Sequence, residues 1–220
     1  MSKLENKVSV IIPCYKQVNY LAEAIESALN QSVPCEVIVV NDGSPDDTDS
    51  VAMKYFDRLS GYIKQENRGL SAARNAGIRM AETEWIVPLD SDDILDKDYV
   101  KRLLQTNGDI RSCYMKSFGD QDRVYQFMEE PRFEDFVTAN RIHCASMFKK
   151  KMWEELGGYD EEIGKMGGYE DWDFWYRATK KGYSVKVIPE ILFYYRKHGR
   201  SMVDEAISNH NKILDYILTK

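Results

Sequence analysis

The sequence predicts an α/β fold with a mainly parallel central sheet and helices on both faces. Three observations carry that expectation. Apolar strand-like runs at residues 8–12, 37–40 and 85–89 alternate with segments of helical apolar spacing. Repeated strand–helix–strand units favour a parallel sheet clothed by helices. Three loops at predicted carboxyl ends of strands, residues 14–19, 41–49 and 90–93, are unusually polar. Sheets of this kind bind ligands beyond those ends.

The elements follow in order. The run at 8–12 reads as a strand ending at Pro13, and Leu21, Ala24, Ile25, Ala28 and Leu29 mark a helix after it. The strand at 37–40 is broken by Asn41, Asp42, Gly43, Ser44 and Pro45. A helix is predicted over 47–59, a short strand over 62–65, a helix over 70–81 and a strand over 85–89. Asp96 reads as the N-cap of a helix reaching Leu104. Further on, strands are predicted at 110–118 and 124–128, a helix at 133–140, a strand at 142–148 and a helix at 150–156. Residues 157–168, rich in glycine and acids, read as a mobile loop. A helix over 170–181, a strand over 184–189 and a helical tail with Ile207, Ile213, Leu214, Ile217 and Leu218 complete the chain.

Bulk properties narrow the function classes. The 220 residues are 43% hydrophobic and 30% charged, ordinary for a globular chain, and suit a single domain. A net charge of −6 argues against a nucleic-acid binder. Residues 1–7 are polar and the apolar run after them is too short for a signal segment. No apolar stretch approaches the ~20 residues that span a bilayer. The four cysteines, Cys14, Cys35, Cys113 and Cys144, form no CxxC pair. Free thiols in a reducing, cytoplasmic compartment are the plain expectation, and a zinc site is not expected.

Five segments carry candidate chemistry. Asp90, Ser91, Asp92 and Asp93 directly follow a predicted strand. Such a cluster suits a hard divalent cation bridging carboxylate and phosphate oxygens. A solvated turn before a helix cap is the competing reading. Asp42 ends another strand and suits a base imino group or a ribose, with Gly43 permitting close approach. An ordinary turn fits as well. Arg74 lies one turn inside a helix whose N-terminus favours anions, so either a forked phosphate contact or a surface ion pair is open. Tyr169, Glu170, Asp171, Trp172 and Asp173 interleave acids with aromatics: a carboxylate base beside sugar-stacking rings, or a dipole-complementing helix start over a core Trp. Arg196, His198 and Arg200 form a basic segment suited to a diphosphate, with His198 either a metal ligand or structural. His143, in an apolar run, reads as packing or acceptor contact.

Together these segments resemble the family-2 glycosyltransferases of the GT-A fold. The matching stretches are VSVIIP with Tyr15, EVIVVNDGS, NRGLSAARNAG, PLDSDD, GYEDWDFW and YRKHGRS, in the family's order over nearly the whole chain. The resemblance implies one GT-A domain over 1–220, with a nucleotide-sugar-binding half at 1–108 and an acceptor-binding, catalytic half at 109–220. It implies inverting transfer from a nucleoside-diphosphate sugar, UDP in the first place, to a glycan or lipid-linked saccharide. Cell-surface polysaccharide synthesis is the implied setting. By the same resemblance, Asp42, Pro13 and Tyr15 line the base pocket, Asp90 and Ser91 lie by the ribose, and Arg74, Arg196 and Arg200 serve the donor. Asp92 and His198 hold Mn²⁺ or Mg²⁺. Asp171 is the base, with Glu170 beside it, and Trp172 and Tyr169 face the acceptor. Only one predicted helix follows the Tyr195–Ser201 motif, so a minimal enzyme or one needing a partner or a homo-oligomer is expected. Peripheral contact with the inner face of a membrane stays open. A catalytically inactive nucleotide-sugar or carbohydrate binding module is the alternative. A sugar-1-phosphate nucleotidyltransferase is disfavoured by the lack of glycine in residues 13–17.

Overall fold

A computed structural model describes residues 8–199 and 206–220. The order is β1 (Val8–Cys14), α1 (Val18–Leu29), β2 (Glu36–Asn41), α2 (Thr48–Met53), β3 (Gly61–Lys64), α3 (Leu70–Met80), β4 (Trp85–Pro88), β5 (Ile94–Leu95) and α4 (Tyr99–Leu104). It continues with β6 (Ile110–Gly119), β7 (Arg123–Tyr125), α5 (Phe133–Phe136), β8 (Met147–Lys149), α6 (Lys150–Glu155), α7 (Glu161–Gly164), α8 (Glu170–Lys180), β9 (Val185–Lys197) and α9 (His210–Leu218).

Among the described residues the strands form one sheet, ordered β3-β2-β1-β4-β8-β6-β9-β5, with β7 on the outer part of β6. β1 to β4 pair in parallel, as do β6 and β9. β8 runs antiparallel between β4 and β6, so both parallel blocks point the same way. The carboxyl ends of β1, β2, β4 and β9 therefore share one edge. Helices cover both faces as expected. Val10, Ile12, Val37 and Val39 pack against α1, α2 and α4, whereas Ile11, Ile38 and Val40 join α3, α8 and α9. Every residue of β1 is buried because both its faces are covered.

Several boundaries differ from expectation, each for a local reason. The helix expected over 47–59 stops at Met53 and resumes as a 3₁₀ turn at Phe56–Arg58. Only Thr48 and Ala52 of α2 are buried and Phe56 is 60% exposed, so no apolar stripe holds a longer helix in place. Asp96 acts before the helix rather than at its cap: its carboxylate accepts from Asp98 N and its carbonyl from Tyr99 N. The helix expected over 133–140 ends at Phe136. There the Trp172 indole donates to the Phe136 carbonyl and the Arg141 guanidinium to the Asp135 carbonyl, replacing a further helical turn. The strand expected over 142–148 shrinks to β8, because Ser146 turns back onto the His143 carbonyl. The loop at 157–168 contains α7, whose N-cap Asp160 accepts from Glu162 N and Ile163 N. β9 runs past Pro189 to Lys197, its register against β6 shifting around Tyr114. That extension carries the basic segment to the edge where β4 ends. The tail packs on its own sheet through Ile213 and Ile217.

Helix α3 lies close on β1 because Gly77 has no Cβ; one built there would sit 2.4 Å from Ile11 Cγ2 and 3.1 Å from Val40 Cγ2. Both neighbours are buried and β-branched, so neither can move aside easily. Gly77→Ala is therefore expected to destabilise the fold by about 1–3 kcal/mol despite alanine's better helix propensity. Urea unfolding measures this, and an unchanged midpoint would contradict the close contact.

Candidate active site

The loops after β1 and β2 are tied together at the sheet's carboxyl edge. Gly43 takes a positive φ of 68°, and a Cβ there would lie 2.6 Å from Asn67 N, so the turn demands glycine. Lys16 N donates to Ser44 Oγ at 2.8 Å and Val18 N to Asp46 at 3.2 Å. Pro13 is buried within β1, whereas Tyr15 stands 41% exposed with the Lys16 ammonium 5.0 Å from its ring centre. Asp42 is 2% exposed and internally engaged. Its Oδ1 accepts from Gln65 Nε2 at 2.7 Å and Arg68 N at 3.0 Å, and its Oδ2 from Gly69 N at 2.8 Å. It thus clamps the turn that leads into α3.

The acidic loop follows β4. Asp90 remains partly open, Ser91 is buried, and Asp92 lies 2.9 Å from His198 Nε2 through its Oδ2. Tyr20 supports the His198 ring at 4.6 Å. Asp93 is fully buried; one oxygen accepts from Arg196 N at 2.8 Å and the other has no partner. Burial, then the neighbouring carboxylates, hold the acids of Asp92 and Asp93 above the usual carboxylate range. Three carboxylates crowded on one loop, with Asp92 and Asp93 raised by their neighbours, are what a divalent cation relieves. The oxygen donors and single imidazole at Asp92 and His198 suit Mn²⁺ or Mg²⁺. Asp90, Asp93 and Cys144 also offer ligand atoms within 4.8 Å of one another. A thiol is a poor ligand for either of those ions, and Cys144 instead directs its hydrogen at Asp90 over 3.5 Å.

Arg196 does not present its guanidinium to a phosphate. It lies between the rings of Tyr20 and Phe118, at 4.7 and 4.4 Å, donates from Nε to the Asp92 carbonyl at 2.8 Å and pairs with Glu23. Its work is to fold the acidic loop against β9. Arg74 differs from expectation in the same way. It is fully buried, with Nη1 on Glu170 and Nη2 on Asp90, both at 2.6 Å, and with its Cζ 5.5 Å from the Tyr159 ring centre. The fork expected on phosphate spans two carboxylates of the chain itself. Arg200 lies outside the described residues.

The catalytic candidates open α8. Tyr169 caps the helix in the left-handed conformation, φ 67°, and its hydroxyl lies 3.2 Å from His210 Nδ1. Glu170 is 6% exposed and neutralised by Arg74. Among the described residues, Asp171 has no cationic partner at hydrogen-bond distance. Its Oδ1 accepts from Trp172 N and its Oδ2 from Asn140 Nδ2, both at 2.8 Å. Burial, and then the Glu170 charge, push its acid up to about 7. Trp172 is a correction: 3% exposed, with its indole N–H on the Phe136 carbonyl, it fills the core rather than facing an acceptor. His143 likewise packs, stacked on Phe193 at 4.5 Å. Three residues of the site went unread in the sequence: Asn140, Cys144 and Tyr159. Asn140 closes the helix expected over 133–140, Cys144 lies in the strand expected over 142–148 and Tyr159 in the loop expected over 157–168, none of them in a motif; they reach the site only because α5, β8 and α7 fold back over α8.

A sheet of this topology, with an acidic loop at the end of β4 and a carboxylate at the start of α8, defines the GT-A class of nucleotide-sugar transferases. Within that class, the chain belongs to glycosyl transferase family 2, whose model matches residues 9–157. It is 30% identical over 215 residues to the protein named "Putative glycosyltransferase EpsH" of Bacillus subtilis (strain 168), covering 89% of this chain and 62% of that protein. It is 28% identical over 229 residues to chondroitin synthase of Escherichia coli, covering 97% of this chain and 33% of that protein. The chain thus spans under two thirds of these relatives. The fold matches S. aureus TarS 1-349 in complex with UDP-GlcNAc, with a TM-score of 0.80 at 22% identity, covering 96% of this chain and 65% of that one. It also matches the mannosyltransferase PcManGT from Pyrobaculum calidifontis in complex with GDP-Man and Mn²⁺, with a TM-score of 0.71 at 22% identity, covering 91% and 60%.

Removing the buried cation leaves two carboxylates facing each other without compensation. Arg74→Ala is expected to cost about 3–5 kcal/mol of unfolding free energy. Arg74→Lys keeps the charge but not the fork, so it should fall between the two. Denaturant titration of the three proteins checks the order, and equal stability of all three would contradict the bridge.

Proposed function

We propose that the chain is an inverting glycosyltransferase moving a sugar from a nucleoside-diphosphate donor, most simply a UDP-sugar, to a hydroxyl of a glycan or lipid-linked saccharide. The observation that carries this reading is the Asp90–Arg74–Glu170 bridge, which fixes the start of α8 to the acidic loop after β4. It binds the start of α8, which offers the Asp171 carboxylate, to the loop suited to the donor diphosphate.

In the proposed reaction the acceptor oxygen attacks the anomeric carbon while the bond from that carbon to the diphosphate oxygen breaks. Asp171 takes the acceptor's proton. An acid near 7 is well matched to that task at neutral pH. Glu170, paired with Arg74, orients the helix. Pro13, Tyr15 and Asp42 border the base side of the donor, and Asp90 and Ser91 its ribose side. Held by Asp92 and His198, a Mn²⁺ or Mg²⁺ ion would supply positive charge to the departing diphosphate. The TarS complex with UDP-GlcNAc and the PcManGT complex with GDP-Man and Mn²⁺ support the donor class and the metal. Chondroitin synthase among the relatives supports a role in polysaccharide synthesis. A cytoplasmic setting, peripheral to the membrane's inner face, goes with this reading: the cysteines are free, and no helix among the described residues is long and apolar enough to cross a membrane.

The test is binding and slow hydrolysis across UDP-, GDP- and dTDP-sugars, with Mn²⁺, Mg²⁺ or EDTA. One donor should bind with metal and turn over; a folded protein that binds donor without turnover would favour an inactive module. Asp92→Ala should weaken Mn²⁺-supported donor binding, and undiminished affinity would argue against its role. Asp171→Asn should keep donor binding and lose about 10²–10⁴-fold in transfer. Because the base works as the carboxylate, kcat/KM should rise with pH and level off above about 7. A flat profile from pH 5 to 8 would count against Asp171.

A further inference from the structure

The Asp171 carboxylate is held by two donors, one intrinsic to its helix and one brought from elsewhere. Trp172 N, the next residue along, meets Oδ1, and Asn140 Nδ2, from the loop after α5, meets Oδ2. That loop is anchored on both sides. Arg141 ties back to the Asp135 carbonyl at 2.9 Å and to Thr138 Oγ1 at 3.0 Å, Ile142 is buried in the core, and the Phe136 carbonyl takes the Trp172 indole at 2.7 Å. Asn140 is thus pinned to the helix that carries the base.

The Asn140 amide bears the mark of a residue retained for that one contact. Its Oδ1 is buried without a partner. A stranded amide oxygen is costly, and an asparagine that only packed could be replaced by an apolar side chain at little loss. Rotating the amide would relieve nothing, because it would set oxygen against the carboxylate oxygen. We propose that Asn140 is a positioning residue for the base: its amide N–H fixes the orientation of the Asp171 carboxylate, leaving the second acceptor site of each carboxylate oxygen for the incoming hydroxyl. This rests on the reading of Asp171 as the base.

The contact also bears on when that carboxylate is charged. The groups facing it are Glu170 and Tyr169 from its own segment, Arg74 from α3, Tyr159 from the loop before α7 and Cys144 from the loop before β8. Arg74 favours the ionised form but is shared between Asp90 and Glu170, and the Glu170 charge opposes it; the two phenols and the thiol, held above their ordinary ranges, are neutral where Asp171 titrates. Asn140 supplies a neutral donor where, among the described residues, no further cation faces the carboxylate.

The test is a carboxyl ¹³C NMR titration of the full chain labelled at aspartate, with Asp171→Asn assigning the Asp171 resonance. In Asn140→Ala the Asp171 midpoint should rise by about one pH unit, the size of one charge-assisted hydrogen bond. Asn140→Asp, nearly isosteric, sets a second carboxylate beside the first and should raise the midpoint further. It keeps the test open if the alanine variant fails to fold. An unmoved midpoint in the folded variants overturns the inference. Near-normal transfer by Asp171→Asn would instead overturn the base assignment, and the titration would still report whether Asn140 holds that carboxylate.

Discussion

The site depends on one buried guanidinium. Arg74 leaves α3 beneath the surface and holds Asp90 on one side and Glu170 on the other, each at 2.6 Å. These two residues belong to segments 80 positions apart in the chain, and Arg74 is the ion pair that joins them. The planar fork of arginine can satisfy two carboxylates at once, which a lysine ammonium on a flexible stem does less well. A buried cation is tolerable only because both partners are anionic and close. Gly77, one turn along the same helix, sets how deeply α3 sits on β1, and so where Arg74 emerges.

The same logic assigns different tasks to adjacent acids. Glu170 and Asp171 are neighbours in sequence, yet one is paired with Arg74 while the other, without a cation at hydrogen-bond distance among the described residues, has its acid pushed up to about 7 and is the proton acceptor of the proposed reaction. Two carboxylates on one turn thus acquire separate roles through their surroundings. Asp92 and Asp93 divide in the same manner: Asp93 is turned inward onto the Arg196 amide, and Asp92 outward beside His198.

Arg196 completes the arrangement. Held between Tyr20 and Phe118, it joins α1, β6 and β9 to the acidic loop. Arg74 and Arg196 are both engaged with the protein's own acceptors. In the proposed reaction that places more of the electrostatic task on a cation at Asp92 and His198.

The sequence alone determined the alternation of strands and helices, the sheet edge that carries the polar loops, and the motif residues gathered there. These are local properties: β-branched runs, helical spacing, and turn residues such as Asn41 to Pro45 each act within a few positions. Tertiary structure decided which face each motif residue shows and what it touches. Trp172 went to the core because its indole found the Phe136 carbonyl, and Arg74 met carboxylates because α8 folds over α3. Asn140 gained its contact only when a loop expected to be helical was turned aside by Arg141. Burial and charge pairing depend on the distances between segments remote in sequence, and those distances exist only once the chain has folded.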